Sequence, residues 1–293
     1  MIAADYLVLE NYSLPLAAAD VCLVSMPYCD PEKPSLALGL LQSVLLQGGI
    51  ETRSIYANLM FCEELGPNLY IKSHPGNPFV PIAEWTFASV AFPEFQTDDN
   101  VFINELYNKF GWATKQSLDE YREEMLSVRR KAERFTTFLA KQILSLSPRI
   151  VGCSSSLSQR VPSLALLKKI REIDPQVITL MGGADCETIM GRATHQYFPW
   201  VDYVVSGEGE DLIVPLINGI FKFGRQMPID ALPEGVMAPL HRRFGYPGGK
   251  DGKLPRAAAD SFMKQMIPVY GDYFDTLRSL PLLSEAIRPS LPI

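Results

Sequence analysis

Several patterns that mark common enzyme classes are missing from this 293-residue sequence. No G-x-G-x-x-G follows the first apolar strand, where prolines stand instead, and no GxxxxGK[ST] phosphate loop is present. The three histidines, His74, His195 and His241, are far apart, and none lies in a loop that follows a predicted strand. We therefore expect packing or surface histidines and neither a nicotinamide site nor a Ser–His–Asp triad.

Cysteine is also scarce and unclustered. No CxxC or CxxxCxxC spacing exists among the five cysteines, which argues against a zinc site or an iron–sulfur cluster held by neighbouring thiolates. We predict no metal ligands and no catalytic residues in this chain, and small buried side chains at Cys153 and Cys186. The cysteines are Cys22, Cys29, Cys62, Cys153 and Cys186.

Basic charge and long apolar runs are lacking too. The net charge is −6 and no stripe of Lys or Arg is visible, so we expect no nucleic-acid partner. No apolar segment is long enough to span a membrane, and Asp5 and Glu10 precede any apolar run, unlike in a signal peptide. Together with reduced thiols, these features predict a cytoplasmic protein without a membrane partner.

What the sequence does contain is an alternation of β-prone runs and amphipathic helices, which predicts an α/β, Rossmann-like (flavodoxin-like) fold with a five-stranded parallel sheet flanked by helices. The predicted strands are Asp20–Met26, Glu51–Ala57, Arg149–Ser154, Val177–Met181 and Val201–Ser206. The predicted helices are Leu36–Gln47, Leu118–Leu146, Val161–Ile173 and Asp211–Phe223.

Two regions interrupt this alternation. Residues 58–119, rich in aromatics, are open to two interpretations: a small helical insertion with its own aromatic core, or a lid over the strand ends. Past Gly224 we expect an extended tail with short helices at Ala257–Met266 and Tyr270–Leu280. The predicted division is therefore 1–224 for the sheet domain and 225–293 for a linker or tail.

Four strand-end loops should converge at one edge of the sheet, where open α/β folds bind ligands. They are 26–35, 154–157, 182–184 and 206–210, and they offer glycines, backbone amides and small hydroxyls. Glu208 and Glu210 have two interpretations, a general acid–base pair or carboxylates at a helix N-terminus, and the second is the commoner arrangement.

In combination, these loops resemble the cobalamin-binding domain that precedes the barrel of class B radical SAM proteins. The matching stretches are PSLALGLL at Pro34–Leu41, Ser-x-Leu at Ser155–Leu157, Gly-Gly at Gly182–Gly183 and VDYVVSGEGE at Val201–Glu210. AEWTFASVAF at Ala83–Phe92 resembles the insertion of the subfamily that matures ribosomally made, modified peptides (RiPPs).

The resemblance implies bound cobalamin (vitamin B12) and a role in a radical SAM, methyltransferase-type system. The Asp-x-His-x-x-Gly of corrinoid methyltransferases is absent, so the cobalamin would be base-off without a protein histidine on cobalt. The implied cofactor-binding residues are Pro27, Tyr28, Pro34, Ser35, Leu36, Gly39, Ser154, Ser155, Ser156, Leu157, Gly182, Gly183, Ala184, Ser206, Gly207, Glu208 and Gly209.

The resemblance also implies a partner. The family's barrel, which binds S-adenosylmethionine and a [4Fe–4S] cluster, would begin near Ile293, so we expect a truncated form or a separately encoded subunit that is inert alone. A peptide substrate is compatible with this interpretation. The alternative is a non-catalytic flavodoxin-like sensor or scaffold that holds a nucleotide, a flavin or nothing.

Two further expectations follow. Without the barrel, an exposed apolar patch should remain on the insertion or the tail. Gly183→Val should block the cofactor tail while the fold survives. The candidate patch residues are Trp85, Phe87, Phe92, Phe262, Tyr270, Tyr273 and Phe274.

Overall fold

The computed structural model describes residues 7–73, 81–95, 98–111, 114–247 and 266–291. Its centre is one sheet of strand order β2-β1-β3-β4-β5-β6. The first five strands are parallel, which is the flavodoxin-like order, and β6 pairs antiparallel to β5. The strands are β1 Val21–Ser25, β2 Thr52–Tyr56, β3 Ile150–Ser154, β4 Ile178–Gly182, β5 Tyr203–Val205 and β6 Val236–Met237.

The α/β prediction is confirmed, with one strand more than expected. Strands β1, β3 and β4 are almost wholly buried because helices cover both faces of the sheet. The extra strand, β6, lies in the region we expected to be an extended tail. Its two residues are too few to leave a periodic pattern in a sequence.

Helices alternate with the strands as predicted, with ends that differ by a few residues. Ser35 caps α1, its hydroxyl accepting from the Leu38 N–H at 3.3 Å, and Ser117 with Glu120 forms a capping box at the start of α6. The helices are α1 Leu36–Gln47, α2 Ala57–Leu65, α3 Pro67–Lys72, α4 Ile82–Ala91, α5 Asp99–Phe110, α6 Leu118–Leu144, α7 Arg160–Ile173, α8 Thr188–Tyr197, α9 Ile213–Phe223, α10 Pro239–Phe244, α11 Gly271–Ser279 and α12 Pro281–Ala286.

The insertion is helical, but it does not have a core of its own. Helix α4 packs on α6 and α7, and α2 packs on α6. The rings of Phe61, Phe87 and Phe135 meet in the same core as the strands, with centroid distances of 5.4 Å for Phe61–Phe87 and 4.9 Å for Phe61–Phe135. The insertion therefore thickens the layer on one face of the sheet, while α1 and α9 pack together on the other.

The described end of the chain folds back instead of extending. Asp272, at the start of α11, accepts from the Ser54 N–H of edge strand β2 at 2.8 Å and from the Gln42 amide at 2.6 Å. Glu63 accepts from the N–H groups of Leu282 and Leu283, both at 2.9 Å, and so caps α12. The tail thus covers an edge that would otherwise expose unpaired backbone groups.

This docking corrects the expected apolar patch. Trp85, Phe87 and Tyr273 are buried, and Phe92, Tyr270 and Phe274 are partly buried. Phe262 and most of the helix predicted at Ala257–Met266 lie outside the described residues. The described insertion and tail use their aromatic side chains as core because both pack against the sheet domain.

Candidate strand-end site

The strand-end loops converge at one edge of the sheet, as predicted, and they surround two adjoining cavities. The inner slot has a volume of about 110 Å³ and runs between the sheet and helices α1 and α9. The outer cleft, of about 330 Å³, lies over the ends of β1, β2 and β3. Ala37, Ser154 and Gly183 line both, so the two cavities form one continuous site.

A glycine inside a central strand creates the inner slot. Leu23, Gly152 and Leu180 are in register on β1, β3 and β4 and face α1. A Cβ at Gly152 would lie 3.3 Å from Leu180 Cδ2 and 3.4 Å from Leu23 Cδ2, so any larger side chain would fill the space between the leucines. The sequence interpretation missed these residues, although a glycine within a strand is the kind of signal that marks close approach.

Small residues continue the floor of the site toward the strand ends. Tyr56, Ser25, Ser154 and Gly182 are in register across β2, β1, β3 and β4. With strands about 4.8 Å apart, this row spans about 14 Å across three spacings. Ser25, Ser154 and Gly182 have no bulky side chain, so the row forms a flat shelf that ends at Tyr56. Leu38, Leu41 and Ile213 close the slot from the helix side.

The Gly182-Gly183 turn lines the site and also packs against the backbone of Ser155. Gly183 has φ of +92°, and a Cβ there would lie 2.4 Å from the Ser155 carbonyl oxygen. The expectation that the fold survives Gly183→Val is therefore wrong on steric grounds. Gly182 is different, because its Cβ would meet only Val205, with the nearer contact at 3.6 Å, and would point into the slot.

Two of the predicted serines are buried and make hydrogen bonds that hold neighbouring loops. The buried Ser155 hydroxyl donates to Asp185 Oδ2 at 2.7 Å, and the buried Ser206 hydroxyl accepts from the Thr188 N–H at 2.8 Å. These bonds fix the loops that follow β3 and β5. Ser154 and Ser156 line the cavities, and the Ser156 hydroxyl also donates to Gln159 Oε1 at 3.3 Å.

Other predicted residues divide between wall, rim and core. Pro34, Ser35 and Ala184 line the outer cleft, while Leu36 and Leu157 are exposed at the rim. Three predicted residues lie in the core and do not line the cavities. Pro27 and Tyr28 are buried, and Gly39 lies under residues 268–270. Tyr28 packs against Phe61 and Tyr70, and a Cβ at Gly39 would lie 2.7 Å from Tyr270 Cε1.

The Gly-Glu-Gly-Glu loop borders the inner slot at Gly207, Glu208, Gly209 and Glu210. Helix α9 begins at Ile213, two residues later than predicted, and the Gly209 carbonyl accepts from the Leu212 and Ile213 N–H groups.

Gln159 was missed entirely, and it joins two of the loops. Its buried amide Nε2 donates to the Met26 carbonyl at 2.5 Å and contacts Cys29 Sγ at 3.0 Å. Its Oε1 accepts from the Ser156 N–H at 3.1 Å. A glutamine before a helix carries no sequence signal for this role, which arises from tertiary proximity.

Cys153 and Cys186 are buried, as predicted, and so are Cys22 and Cys62. All five are free thiols, and burial raises the pKa of Cys22, Cys62, Cys153 and Cys186 to about 12. Cys29 lines the outer cleft, and burial raises its pKa as well. Among the described residues, no three His, Cys, Asp or Glu side chains are grouped as metal ligands would be.

The two described histidines are packing residues and lie away from the cleft. His195 is buried, with Nδ1 2.7 Å from the Tyr246 hydroxyl and Nε2 3.0 Å from the Asp202 carbonyl. Burial, together with nearby Arg242, lowers the pKa of His195 to about 3. Nδ1 of buried His241 accepts from the Ala238 N–H at 3.0 Å. His74 lies outside the described residues.

Within the described ranges, no helix is long and apolar enough to cross a bilayer. No protein-family model matches the sequence.

Two curated proteins share partial sequence similarity. The anaerobic magnesium-protoporphyrin IX monomethyl ester cyclase of Rubrivivax gelatinosus is 30% identical over 131 residues, which is 45% of this chain and 22% of the cyclase. The cyclase of the same name from Cereibacter sphaeroides is 32% identical over 80 residues, covering 27% of this chain and 13% of that protein.

Among solved structures, the radical S-adenosylmethionine methyltransferase TsrM from Kitasatospora setae, with cobalamin and a [4Fe–4S] cluster bound, aligns with a TM-score of 0.38 and 14% identity. The alignment covers 87% of this chain and 32% of that one. The chain therefore spans less than a third of the length of each of these three proteins.

Proposed function

We propose that this chain binds cobalamin at the strand-end site, as part of a radical SAM, methyltransferase-type system. One observation carries the proposal: the flat shelf of small residues opens directly into the apolar inner slot. A planar corrin edge suits the shelf, and a detached nucleotide base suits a slot lined by Leu23, Leu38 and Leu180. Gly152 and Gly182 leave the room that such a base needs.

Base-off binding without a protein imidazole is the mode we propose. Both described histidines, His195 and His241, are buried and make hydrogen bonds away from the cleft. Bound cobalamin would supply a cobalt centre that carries a methyl group. The residues of this chain would orient the corrin and shield the base from water, with Ser154, Ser156 and the backbone at Gly183 offering polar contacts.

The proposal is tested by incubating the purified chain with hydroxocobalamin or FMN and then removing free ligand. We expect corrin absorbance to stay with the protein in about equal molar amount, with the spectrum of cobalamin whose base is detached. Retention of FMN instead would support the flavodoxin-like alternative. Retention of neither ligand would contradict the proposal.

We further propose that a radical SAM barrel, as a domain or a separate subunit, covers the strand-end rim. Leu36, Leu157 and Ile189 follow three neighbouring strands and are 43%, 66% and 73% exposed. These side chains replace the insertion and tail as the candidate contact surface. Ile189→Glu should abolish association with a candidate barrel protein and leave cobalamin binding intact. Unchanged association would place the interface elsewhere.

The chemistry that requires the barrel should be absent from this chain alone. Cleaving S-adenosylmethionine to a radical needs a reduced [4Fe–4S] cluster on thiolates, and the buried thiols here have raised pKa values. We expect no 5′-deoxyadenosine after anaerobic reconstitution with iron and sulfide. Turnover would refute this. The same proposal includes a peptide substrate and a role in RiPP maturation. It also includes a cytoplasmic location, because free thiols such as the five cysteines here suit a reducing compartment.

A further inference from the structure

The outer cleft is lined by two polar side chains that are themselves buried. Asn58 is 1% exposed and Tyr56 is 1% exposed, and both line the cleft. Within the described part of the chain, neither Asn58 Oδ1 nor the Tyr56 hydroxyl makes a hydrogen bond. Buried polar atoms are nearly always paired, because an unpaired one loses its bonds to water without replacement. These two atoms therefore point to a ligand group.

The position of the pair relates it to the shelf. Tyr56 is the last residue of β2, in register with Ser25, and so forms one end of the shelf. Asn58 follows two residues later, in the first turn of α2. Tyr273 packs edge-on against Tyr56, with ring centroids 5.1 Å apart, and fixes the tyrosine ring. A ligand lying on the shelf would meet both groups at its periphery.

The chemistry of the pair is one donor and one acceptor. Burial, with further contributions from Tyr270, Asp272 and Tyr273, raises the pKa of Tyr56, so its hydroxyl stays protonated and can donate. Asn58 Oδ1 can accept. A primary carboxamide has the complementary C=O acceptor and N–H donor. A carboxylate would present only acceptors, so one of its oxygens would face the Asn58 oxygen and the two would repel each other.

We propose that Tyr56 and Asn58 form a specificity subsite for a carboxamide side chain at the edge of the bound corrin, with Tyr56 donating to its carbonyl and Asn58 accepting from its NH₂. This inference rests on the proposed cobalamin function. It adds that the protein distinguishes a carboxamide from a carboxylate on the ring side chain at this end of the shelf.

The experiment combines protein and ligand variants in a thermodynamic cycle. Affinities of cyanocobalamin, and of the separate monocarboxylic acids made by hydrolysing one propionamide or acetamide each, are measured by calorimetry on the wild type, Asn58→Leu and Tyr56→Phe. We expect one acid to bind the wild type about tenfold more weakly than cyanocobalamin, the scale of one hydrogen bond. We expect Asn58→Leu to lose most of that discrimination, because removing the Asn58 amide and removing the carboxamide of the ligand break the same contact.

A matched control separates this role from a structural one. Asn100 is exposed and occupies the second position of helix α5, as Asn58 does in α2, so Asn100→Leu should leave all affinities unchanged. Asn58→Leu should not lower the melting temperature, since it removes an unpaired buried polar group. The wild type and Asn58→Leu could both bind cyanocobalamin and show the same affinity ratio of cyanocobalamin to every acid. That result would refute the subsite and leave the proposed function standing. If the wild type binds no cobalamin, both fall.

Discussion

Gly182→Val is the perturbation that tests the inner slot most sharply. Its Cβ would contact only Val205, with the nearer contact at 3.6 Å, and valine favours strands, so β4 should accept the change. The two methyl groups would then occupy the mouth of the slot. Residues that line this slot include Leu23, Leu38 and Leu180, so an excluded base would lose an apolar environment.

The expected loss can be worked from the area that the base would bury. An aromatic group of this size buries about 150–250 Å², and apolar burial contributes about 25 cal/mol per Å². The product is about 4–6 kcal/mol, which corresponds to about three to four powers of ten in dissociation constant. Calorimetry or equilibrium dialysis with cyanocobalamin measures it.

Cobinamide, the corrin without a nucleotide tail, is the matched ligand control. Its affinity should fall much less than that of cobalamin in Gly182→Val, because it places nothing in the slot and meets the new side chain only where the corrin crosses the end of the shelf. Gly271→Val is the matched protein control, since a Cβ at Gly271 meets nothing within 4 Å. Unchanged cobalamin affinity in Gly182→Val would refute the placement of the base. An equal loss for cobinamide would show that the new side chain displaces the corrin from the shelf, and that the base is not held in the slot.

Three further outcomes follow from the structure. Gly183→Ala should destabilise the fold by about 1–3 kcal/mol in chemical denaturation, because φ is +92° and the Ser155 carbonyl lies 2.4 Å from the new Cβ; an unchanged midpoint would contradict this. The His195 pKa, about 3 when folded and about 6.5 when unfolded, means that stability is present above pH 6.5 and falls as the pH drops toward 3. Between pH 7 and 5 the loss should be about 2 kcal/mol by calorimetry, and a similar loss in His195→Gln would exclude His195 as its source. Finally, the EPR spectrum of the Co(II) complex should show no nitrogen superhyperfine splitting from a protein imidazole, and such splitting would overturn the base-off assignment.

Features that depend on neighbours in sequence were predictable. All the predicted strands except Glu51–Ala57 are largely apolar runs, and α6 repeats its buried residues at steps of three and four from Tyr121 to Ile143. Strand–turn–helix order then fixes which ends of the parallel strands meet, so convergence of the Ser154, Gly182 and Gly207 loops followed. Connectivity alone was sufficient for that inference.

Features that depend on distant pairs were not predictable. The slot exists because Gly152 lies between Leu23 and Leu180, an arrangement that needs the register of three strands. The described end of the chain docks because Asp272 meets Ser54, more than two hundred residues away in sequence. Loop composition likewise gave no direction for side chains, so Tyr28 was placed on the site although it turns into the core.

The most direct test of the central claim is a crystal structure of the chain grown with hydroxocobalamin. We predict the corrin on the shelf formed by Ser25, Ser154 and Gly182, with the detached base between β3 and α1 beside Gly152. Cobalamin bound elsewhere on the protein, or bound here with its base still on cobalt and the slot empty, would contradict the account.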